Sequence, residues 1–393
     1  MNKNAKRNAN KGVNKGAKSG DSANDRGCVV VKLGSAMVST AQGPNVEGIN
    51  EWCRQLAEAM DRGERIVVVS SGAVAAGVVR MGMKERPADM NLLQASAAIG
   101  QLEVVNAYST ALKTHDLTAA MVLLTHADMA NRERYLNARD TLISLLDMGV
   151  VPIVNENDSV ATDEIRFGDN DALAAMVTNL LGARMLVLLT DQTGLHEKNP
   201  ADHADAPLVK EAKASDPTLD AMAGGAGAAG RGGMISKLRA ARLAARSGCD
   251  TVIARGTTRN VISRLLAGES LGTRLLADLE ALDARKRWIA DQQRSKGEFK
   301  LDDGASEALI ARGVSLLPVG VLAVAGKFHR GDLVECTDKS GAVIAQGLAN
   351  YDSEACKALL GRSGKSAEDI SALVGFSVGP ELIHRDNLVI LAR

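Results

Sequence analysis

Short apolar runs alternate with helical segments along most of the chain, and this alternation constrains the fold more than any other feature. The first run lies at 29–31 and is followed by a segment at 46–61 that places Ile49, Trp52 and Leu56 on one helical face. Strands that alternate with helices are typical of a parallel sheet covered on both faces, so we predict an α/β fold. Further strands are predicted at 66–69, 119–124, 150–154, 185–189 and 251–254, with helices at 88–113, 131–147, 170–181 and 233–247.

The pattern changes near residue 295, where short apolar runs separated by Gly and Asp replace the alternation. These runs, at 316–324, 333–336, 343–347 and 388–391, predict a small and mostly β module. We therefore divide the chain into a basic extension at 1–26, an α/β domain at 27–280, a linker at 281–296 and a mostly β domain with the C-terminal tail at 297–393.

Charge is balanced over the whole chain, with 47 Lys and Arg against 47 Asp and Glu, so no overall field attracts nucleic acid or an anionic membrane. The first 26 residues are the exception, with seven basic residues against two acidic ones, and they contain no apolar run of signal-peptide length. We predict that this extension is disordered; the alternative is an arm that contacts RNA or a membrane. No apolar run in the chain reaches the roughly 18 residues that a membrane span needs.

Five cysteines are scattered along the chain without the paired spacing of a zinc site or a disulfide framework. We therefore predict free, reduced thiols, a cytoplasmic location and no metal site built from protein side chains. The residues concerned are Cys28, Cys53, Cys249, Cys336 and Cys356.

Asn and Asp are concentrated around the apolar run at 150–154. The sequence Asn-Glu-Asn-Asp at 155–158 follows it directly, and Phe-Gly-Asp-Asn-Asp at 167–171 comes shortly after. Polar groups beside a buried strand are costly unless they hold something polar, and open α/β sheets bind ligands beyond the carboxyl ends of their strands. We interpret the two clusters as a binding site. The alternative is a pair of turns, which Asn, Asp and Gly also favour.

Two strand ends carry residues that suit a phosphate group. Lys32 is followed by Leu33, Gly34 and Ser35, which together offer a positive charge and accessible backbone N–H donors. The sequence Ser-Ser-Gly at 70–72 opens a helix rich in Ala and Gly, and the free N–H groups of a helix N-terminus attract anions. The alternatives are a solvated lysine at a strand end and a Ser71 side chain that only caps its helix.

Two later segments carry polar groups to the same predicted sheet edge. Thr190 and Asp191 follow the strand at 185–189, and Gly-Gly-Met-Ile-Ser-Lys at 232–237 runs into a basic helix. A lysine near a helix N-terminus is electrostatically unfavourable unless an anion lies close by, so Lys237 predicts a phosphate ligand. The alternative is chance placement of Lys237 on a helix that is basic throughout.

These segments together favour phosphoryl transfer. The chain offers two lysines, several glycine-rich loops and a few carboxylates, and it has no Ser-His-Asp or Cys-His arrangement. Phosphoryl transfer needs neutralisation of charge and alignment of the reacting groups more than it needs covalent catalysis.

The order and spacing of these motifs resemble the amino-acid kinase family. The matching segments lie at 30–35, 71–73, 155–158, 168–171, 189–191 and 233–234, and those at 132–140 and 285–289 resemble the members that phosphorylate glutamate. The resemblance covers residues 28–393 and implies a three-layer α/β sandwich with a mainly parallel central sheet. The C-terminal part resembles the PUA domain, a small and mostly β module.

The resemblance also implies a role for each motif residue. Lys32 and Lys237 would contact the transferring phosphate and Asp171 would hold both lysines, so these three are the expected catalytic residues. Ser71, Asp158 and Asn170 would bind glutamate. The residues expected to bind ATP are Lys32, Thr190, Asp191, Arg231, Gly232, Gly233, Met234, Ile235, Ser236 and Lys237.

One position departs from the family pattern. The family usually has Thr before Gly-Gly-Met, whereas here Arg231 precedes Gly232 and follows a run of Ala and Gly. Arg231 either adds a phosphate contact or shields the pocket, so the sequence leaves the nucleotide affinity of this loop open.

The reaction that the resemblance implies is phosphorylation of the γ-carboxylate of L-glutamate by ATP, which gives L-glutamyl 5-phosphate and begins proline biosynthesis. Mg²⁺ would accompany ATP, and proline would inhibit at the glutamate site. The family commonly forms dimers or tetramers, and functional coupling to glutamyl-phosphate reductase is a further expectation. No membrane partner is expected.

Two alternatives remain open from the sequence. Other amino-acid kinases act on aspartate, acetylglutamate or carbamate, and a panel of acceptors separates them. A regulator of a different class would bind RNA through the PUA-like module. Residues 297–393 carry ten Lys and Arg against thirteen Asp and Glu, and this negative balance argues against strong affinity for a phosphate backbone.

Overall fold

A computed structural model describes residues 27–161, 170–200, 202–203, 205–224, 233–277, 295–361 and 366–391. The predicted extension at 1–26 lies outside the described residues, and so does the predicted linker at 281–296 except for its last two residues. Five residues of the predicted site also lie outside them: Phe167, Gly168, Asp169, Arg231 and Gly232.

Strands and helices alternate through the first part of the chain, and the predicted elements are present with ends that differ by two residues or fewer. No helix in the described ranges is long and apolar enough to cross a membrane. The strands are β1 (Val29–Leu33), β2 (Ser39–Thr40), β3 (Gly43–Pro44), β4 (Ile66–Ser70), β5 (Ala119–Leu124), β6 (Val151–Glu156), β7 (Met185–Thr190), β8 (Glu211–Lys213), β9 (Asp250–Arg255) and β10 (Thr273–Leu276). The helices are α1 (Ser35–Val38), α2 (Val46–Asp61), α3 (Ala73–Arg80), α4 (Met90–Lys113), α5 (His126–Ala130), α6 (Arg132–Asp147), α7 (Asn170–Leu181), α8 (Thr218–Met222), α9 (Met234–Ala245) and α10 (Val261–Leu266).

Eight of these strands form one sheet in the order β5-β6-β4-β1-β7-β9-β10-β8. Neighbouring strands are parallel except for the antiparallel pair β9 and β10. Side chains of the central strand β1 alternate between two apolar cores, because Val30 packs with residues of α7 and α9 while Val29 and Val31 pack with residues of α2 and α4. Helices therefore cover both faces of a mainly parallel sheet, and the predicted fold class is confirmed.

Sheet pairing explains the elements that the sequence pattern misses. β6 extends through Asn155 and Glu156, which pair with Leu123 and Leu124 of β5, so the predicted strand end at 154 was too early. β8 lies between the predicted strand at 185–189 and the predicted helix at 233–247, where no strand was predicted, and its three residues are held by pairing with β10. α5 and α8 have five residues each, too few for a helical period to be visible.

The C-terminal part of the chain contains the strands β11 (Gly297–Leu301), β12 (Val321–Gly326), β13 (Leu333–Thr337), β14 (Val343–Leu348) and β15 (Leu388–Ile390). They form a second sheet in the order β12-β11-β13-β14-β15. Phe299 and Phe328 meet edge to face in its core, with ring centroids 5.7 Å apart. The mostly β character of the C-terminal part agrees with the prediction. The residue limits of the domains stay predictions. The α-helices described in this part of the chain are α11 (Asp303–Arg312), α12 (Ser353–Leu359) and α13 (Ala367–Val374).

The loop between β12 and β13 contacts helix α6. Arg132 donates from Nε to the carbonyl oxygen of Gly331 at 2.6 Å, and Arg330 forms hydrogen bonds with Asn137 and Asp140. Gly331 has φ +85°, and a Cβ there would lie 2.6 Å from Cγ of Arg132. The second sheet is therefore attached to the helix that leads into β6.

Helices α3 and α4 cross at two glycines. A Cβ on Gly77 would lie 1.8 Å from the carbonyl oxygen of Ser96, and a Cβ on Gly100 would lie 1.9 Å from the carbonyl oxygen of Ala73. The two backbones are therefore in contact, with no room for a side chain between them. This crossing holds the first turn of α3, which directly follows β4, against α4.

We expect Gly100→Ala to lower the free energy of unfolding by about 3 kcal/mol, the upper end of the overpacking range, because the added methyl meets rigid backbone. Urea denaturation followed by circular dichroism measures this change. Gly304→Ala is the matched control, since Gly304 also lies in a helix and its Cβ would meet nothing closer than 3.6 Å. Equal stability of the two variants would contradict the close crossing.

Candidate active site

The carboxyl ends of β1, β4 and β7 meet at one edge of the large sheet. β1 lies between the other two, so the chain order reverses across it, and open α/β sheets bind ligands at such points. A cavity of about 660 Å³ opens at this edge and is of the size that binds small molecules. Its wall includes six residues predicted to bind ATP: Lys32, Thr190, Asp191, Gly233, Met234 and Lys237.

Two lysines converge on one carboxylate beside this cavity. Nζ of Lys32 lies 2.5 Å from Oδ1 of Asp171, and Nζ of Lys237 lies 3.1 Å from Oδ2 of the same residue. All three residues are buried. Buried charges are tolerated only when they are paired, and here two cations share one anion. The resulting excess of positive charge suits an anionic ligand.

Three separate elements deliver this cluster. Lys32 lies on β1, Asp171 in the first turn of α7 and Lys237 near the start of α9. A negative charge is favourable at a helix N-terminus and a positive charge is not, so Asp171 is stabilised by its own helix while Lys237 requires the carboxylate. Ser236 also donates its hydroxyl to Oδ2 of Asp171 at 2.8 Å. Sequence analysis did not predict this contact.

The charge of Asp171 is fixed by its neighbours. Burial by itself raises the pKa of Asp171, but the ammonium groups of Lys32 and Lys237 and the hydrogen bonds from Lys32 and Ser236 outweigh burial. The pKa of Asp171 therefore lies well below its usual value, and the carboxyl group stays ionised at physiological pH. Asp171 can hold the two ammonium groups together, whereas it is unsuited to carrying a proton.

A chain of buried amide groups lies beyond the ends of β4 and β6. Nδ2 of Asn170 donates to the carbonyl oxygen of Ser70 at 2.7 Å and to Oδ1 of Asn155 at 2.6 Å. Nδ2 of Asn155 donates in turn to Oε1 of Gln101 at 2.5 Å. Ser70 is held from the other side, because its hydroxyl lies 3.2 Å from that of the buried Tyr108. Gln101 was missed because one glutamine in an apolar helix forms no motif.

Ser71 and Asp158 are the other two residues predicted to bind glutamate. In the sequence they lie close to Ser70 and Asn155, which belong to the hydrogen-bonded group described above. Ser71 is buried directly after β4, and its N–H donates to the carbonyl oxygen of Leu33 at 3.1 Å. The N-cap of α3 is Gly72, with φ +101° and no side-chain cap, so the alternative in which Ser71 caps the helix is wrong. Asp158 is half-buried in the turn that follows β6.

The predicted ATP residues do not all reach the cavity. Thr190 is buried at the end of β7 and donates its hydroxyl to Oδ1 of the exposed Asp191 at 2.9 Å. Within the described residues, Ile235 and Ser236 are not part of the cavity wall, and Ser236 contacts Asp171 instead. His196, Lys198 and Met37 line the cavity although sequence analysis did not single them out, because each stands outside a recognisable motif.

No group of three or more His, Cys, Asp or Glu side chains that could hold a metal ion occurs in the part of the chain that the structure describes. All five cysteines are buried and free. Burial raises the pKa of the Cys53, Cys336 and Cys356 thiols to about 12, so these thiols are protonated and unreactive at neutral pH.

Comparisons with known proteins agree with this geometry. Residues 27–255 match the sequence profile of the amino acid kinase family, and residues 297–370 match that of the PUA domain. A glutamate 5-kinase of Methylococcus capsulatus is 51% identical over 92% of this chain and 96% of its own length. One from Marinomonas sp. is 52% identical over 92% of this chain and 97% of its own length. The chain therefore belongs to the amino acid kinase family, in its glutamate 5-kinase group, and carries a C-terminal PUA domain.

Proposed function

We propose that this protein transfers the γ-phosphoryl group of ATP to the γ-carboxylate of L-glutamate, which gives L-glutamyl 5-phosphate and ADP and begins proline biosynthesis. The observation that carries the proposal is the buried cluster of Lys32, Asp171 and Lys237 at the edge of a cavity of suitable size. The similarity to curated glutamate 5-kinases supports the choice of acceptor.

A carboxylate acceptor needs no general base, because it is already deprotonated at pH 7. One of its oxygens attacks the γ-phosphorus while the bond from that phosphorus to the β–γ bridging oxygen breaks, and ADP leaves with the electron pair. The main barrier is repulsion between an anionic acceptor and an anionic donor. In this proposal Lys32 and Lys237 lower that barrier with two preorganised positive charges, and Asp171 keeps both ammonium groups in place.

Glutamate binds in this proposal between the carboxyl ends of β4 and β6. The carboxylate of Asp158 and Oδ1 of Asn170 are acceptors, so they suit the α-ammonium group of the substrate. The Ser71 hydroxyl and the free N–H groups at the start of α3 are donors, so they suit a substrate carboxylate.

ATP occupies the 660 Å³ cavity in this proposal, with its phosphates directed toward the two lysines. Mg²⁺ is usually bound by one or two carboxylates together with the phosphates of a nucleotide, and it neutralises phosphate charge there. Asp191 fits this role because it is one of the residues that line the cavity, whereas Asp171 already holds the lysines. Thr190 and the glycine-rich loop complete the ATP site, with Arg231, Gly232, Gly233, Met234, Ile235 and Ser236 as the proposed loop residues.

The wider proposal retains the expectations from the family resemblance. Proline inhibits at the glutamate site, the protein forms a homodimer or tetramer, and its product passes to glutamyl-phosphate reductase. Mg²⁺ is required with ATP, and the kinase and PUA-like domains occupy residues 27–280 and 297–393. The five buried, free thiols are compatible with a reducing cytoplasm.

An acceptor panel tests the reaction. We expect ADP release from full-length protein to require ATP, Mg²⁺ and L-glutamate, and to be inhibited competitively by proline. The kcat/KM for L-aspartate should be about 10–200-fold lower, because a substrate that is one methylene shorter loses that factor in a fitted site. Acetylglutamate and carbamate serve as the remaining acceptors.

Two results would redirect this assignment. A higher kcat/KM for aspartate, acetylglutamate or carbamate than for glutamate would move the protein to another branch of the family. Tight, salt-sensitive RNA binding by the full-length protein without glutamate-dependent ADP release would favour the regulatory alternative.

A further inference from the structure

We propose that Gln101 is a positioning residue that determines how the site recognises the ammonium group of its acceptor. Gln101 lies on α4 and acts through Asn155 on Asn170, so that the carbonyl oxygen of the Asn170 side chain faces the substrate. This inference rests on the proposed function and adds a residue to it that no motif contains.

The direction of each hydrogen bond in the amide chain carries the inference. An amide side chain has two N–H donors and one acceptor oxygen. Asn170 donates one N–H to Ser70 and the other to Asn155, so both donors are used within the protein. No group among the described residues donates to Oδ1 of Asn170. This oxygen is the part of the side chain that remains for a ligand, and a cation is the ligand it suits.

Gln101 fixes the orientation of the middle member. Oε1 of Gln101 accepts from Nδ2 of Asn155, which leaves Oδ1 of Asn155 directed at Asn170. If the side-chain amide of Asn155 were rotated so that Oδ1 and Nδ2 exchanged places, its N–H groups would face the N–H groups of Asn170. Gln101 and Asn155 are 8% and 2% exposed, so bulk water cannot replace the bond between them. Without Gln101, Asn155 loses its only described acceptor and Asn170 loses a fixed partner.

The surroundings of Gln101 make a purely apolar residue the expected occupant of this position. Its neighbours Gly100 and Val104 on α4 are buried. Among the described residues, Nε2 of Gln101 has one hydrogen-bond partner, the weakly accepting sulfur of Met121 at 3.4 Å. A buried glutamine is unfavourable unless its polar atoms form hydrogen bonds. The strong hydrogen bond of Gln101 is the one that its Oε1 accepts from Asn155, so we infer that the glutamine is there to orient that asparagine.

The test compares Gln101→Met with wild-type full-length protein. Methionine keeps the length of the side chain and removes its acceptor oxygen. We expect the KM for glutamate to rise about tenfold, the factor for one lost buried hydrogen bond, while kcat and the KM for ATP change less than about twofold.

A second substrate separates positioning from general damage. Glutarate has both carboxylates of glutamate and lacks the ammonium group. Wild-type protein should prefer glutamate over glutarate by about 10–100-fold in kcat/KM, the range for a hydrogen bond to a charged group. This preference should fall by about tenfold in Gln101→Met. Gln101→Asn, whose shorter side chain withdraws the acceptor, provides the same comparison if the methionine variant does not fold.

Gln55→Met is the matched control. Gln55 is also a buried helical glutamine, and its Oε1 accepts from the N–H of Ile262 at 2.8 Å. It should lower the melting temperature without changing the preference for glutamate over glutarate. An unchanged preference in Gln101→Met and Gln101→Asn would overturn the role of Gln101 and leave the proposed function standing. Absence of glutamate-dependent turnover in the wild-type protein would overturn both.

Discussion

Replacing Lys237 with alanine should lower kcat by about 10²–10³, and replacing Lys32 should have an effect of the same size. Each substitution removes one preorganised positive charge from the transferring phosphoryl group. Both lysines are 4% exposed, so solvent cannot supply the missing charge. The measurement is the initial rate of ADP release at saturating ATP, Mg²⁺ and L-glutamate.

The control for these variants is Lys113→Ala, because Lys113 is an exposed lysine in the last turn of α4. Its kcat should match that of the wild type. Either single active-site variant retains one ammonium group beside Asp171, so circular dichroism should show a folded protein. Turnover near the wild-type value in Lys237→Ala would remove that residue from the chemical step, and the same holds for Lys32→Ala.

Most of the α/β domain could be predicted from local sequence because its long elements carry their own signals. The strand at 119–124 and the helix at 170–181 were predicted with the limits that the structure has. Both are continuous segments that carry their own pattern of apolar residues. Elements defined by a partner were not predictable in this way. β8 and β10 are examples, because their three and four residues become strands only through pairing with each other and, for β10, with β9.

Less of the candidate site than of the fold could be predicted from local sequence. Lys32, Asp171 and Lys237 are far apart in sequence, and no spacing rule brings them together; their convergence was expected from the family resemblance and is present in the structure. The roles of these residues stay predictions. Gln101 could not be found from sequence, since its importance depends on the direction of two hydrogen bonds from Asn155 and Asn170.

Replacing Asp171 with asparagine should lower the free energy of unfolding by about 3–5 kcal/mol, the cost of leaving a buried charge without its partner. The substitution leaves two buried ammonium groups beside a neutral amide, so their mutual repulsion also moves them apart. Turnover should also fall, because no carboxylate then holds the ammonium groups of Lys32 and Lys237 beside each other. Urea denaturation at pH 7 measures the first effect, and Asp61→Asn is the control, since Asp61 is exposed at the end of α2.

The difference in free energy of unfolding between wild type and Asp171→Asn should depend on pH, and this dependence provides an independent check. The pKa of Asp171 is lower in the folded protein than its usual value, so its contribution to stability is complete above the usual pKa of about 3.9. That contribution is lost as the pH falls through the lower, folded pKa, because protonation then removes the partner of both lysines. The stability difference between wild type and Asp171→Asn should therefore be constant from about pH 8 to pH 5 and should narrow only below about pH 4. A difference that already narrows between about pH 8 and pH 6 would mean that the carboxyl group titrates near neutrality, which is incompatible with a fixed negative charge between two ammonium groups.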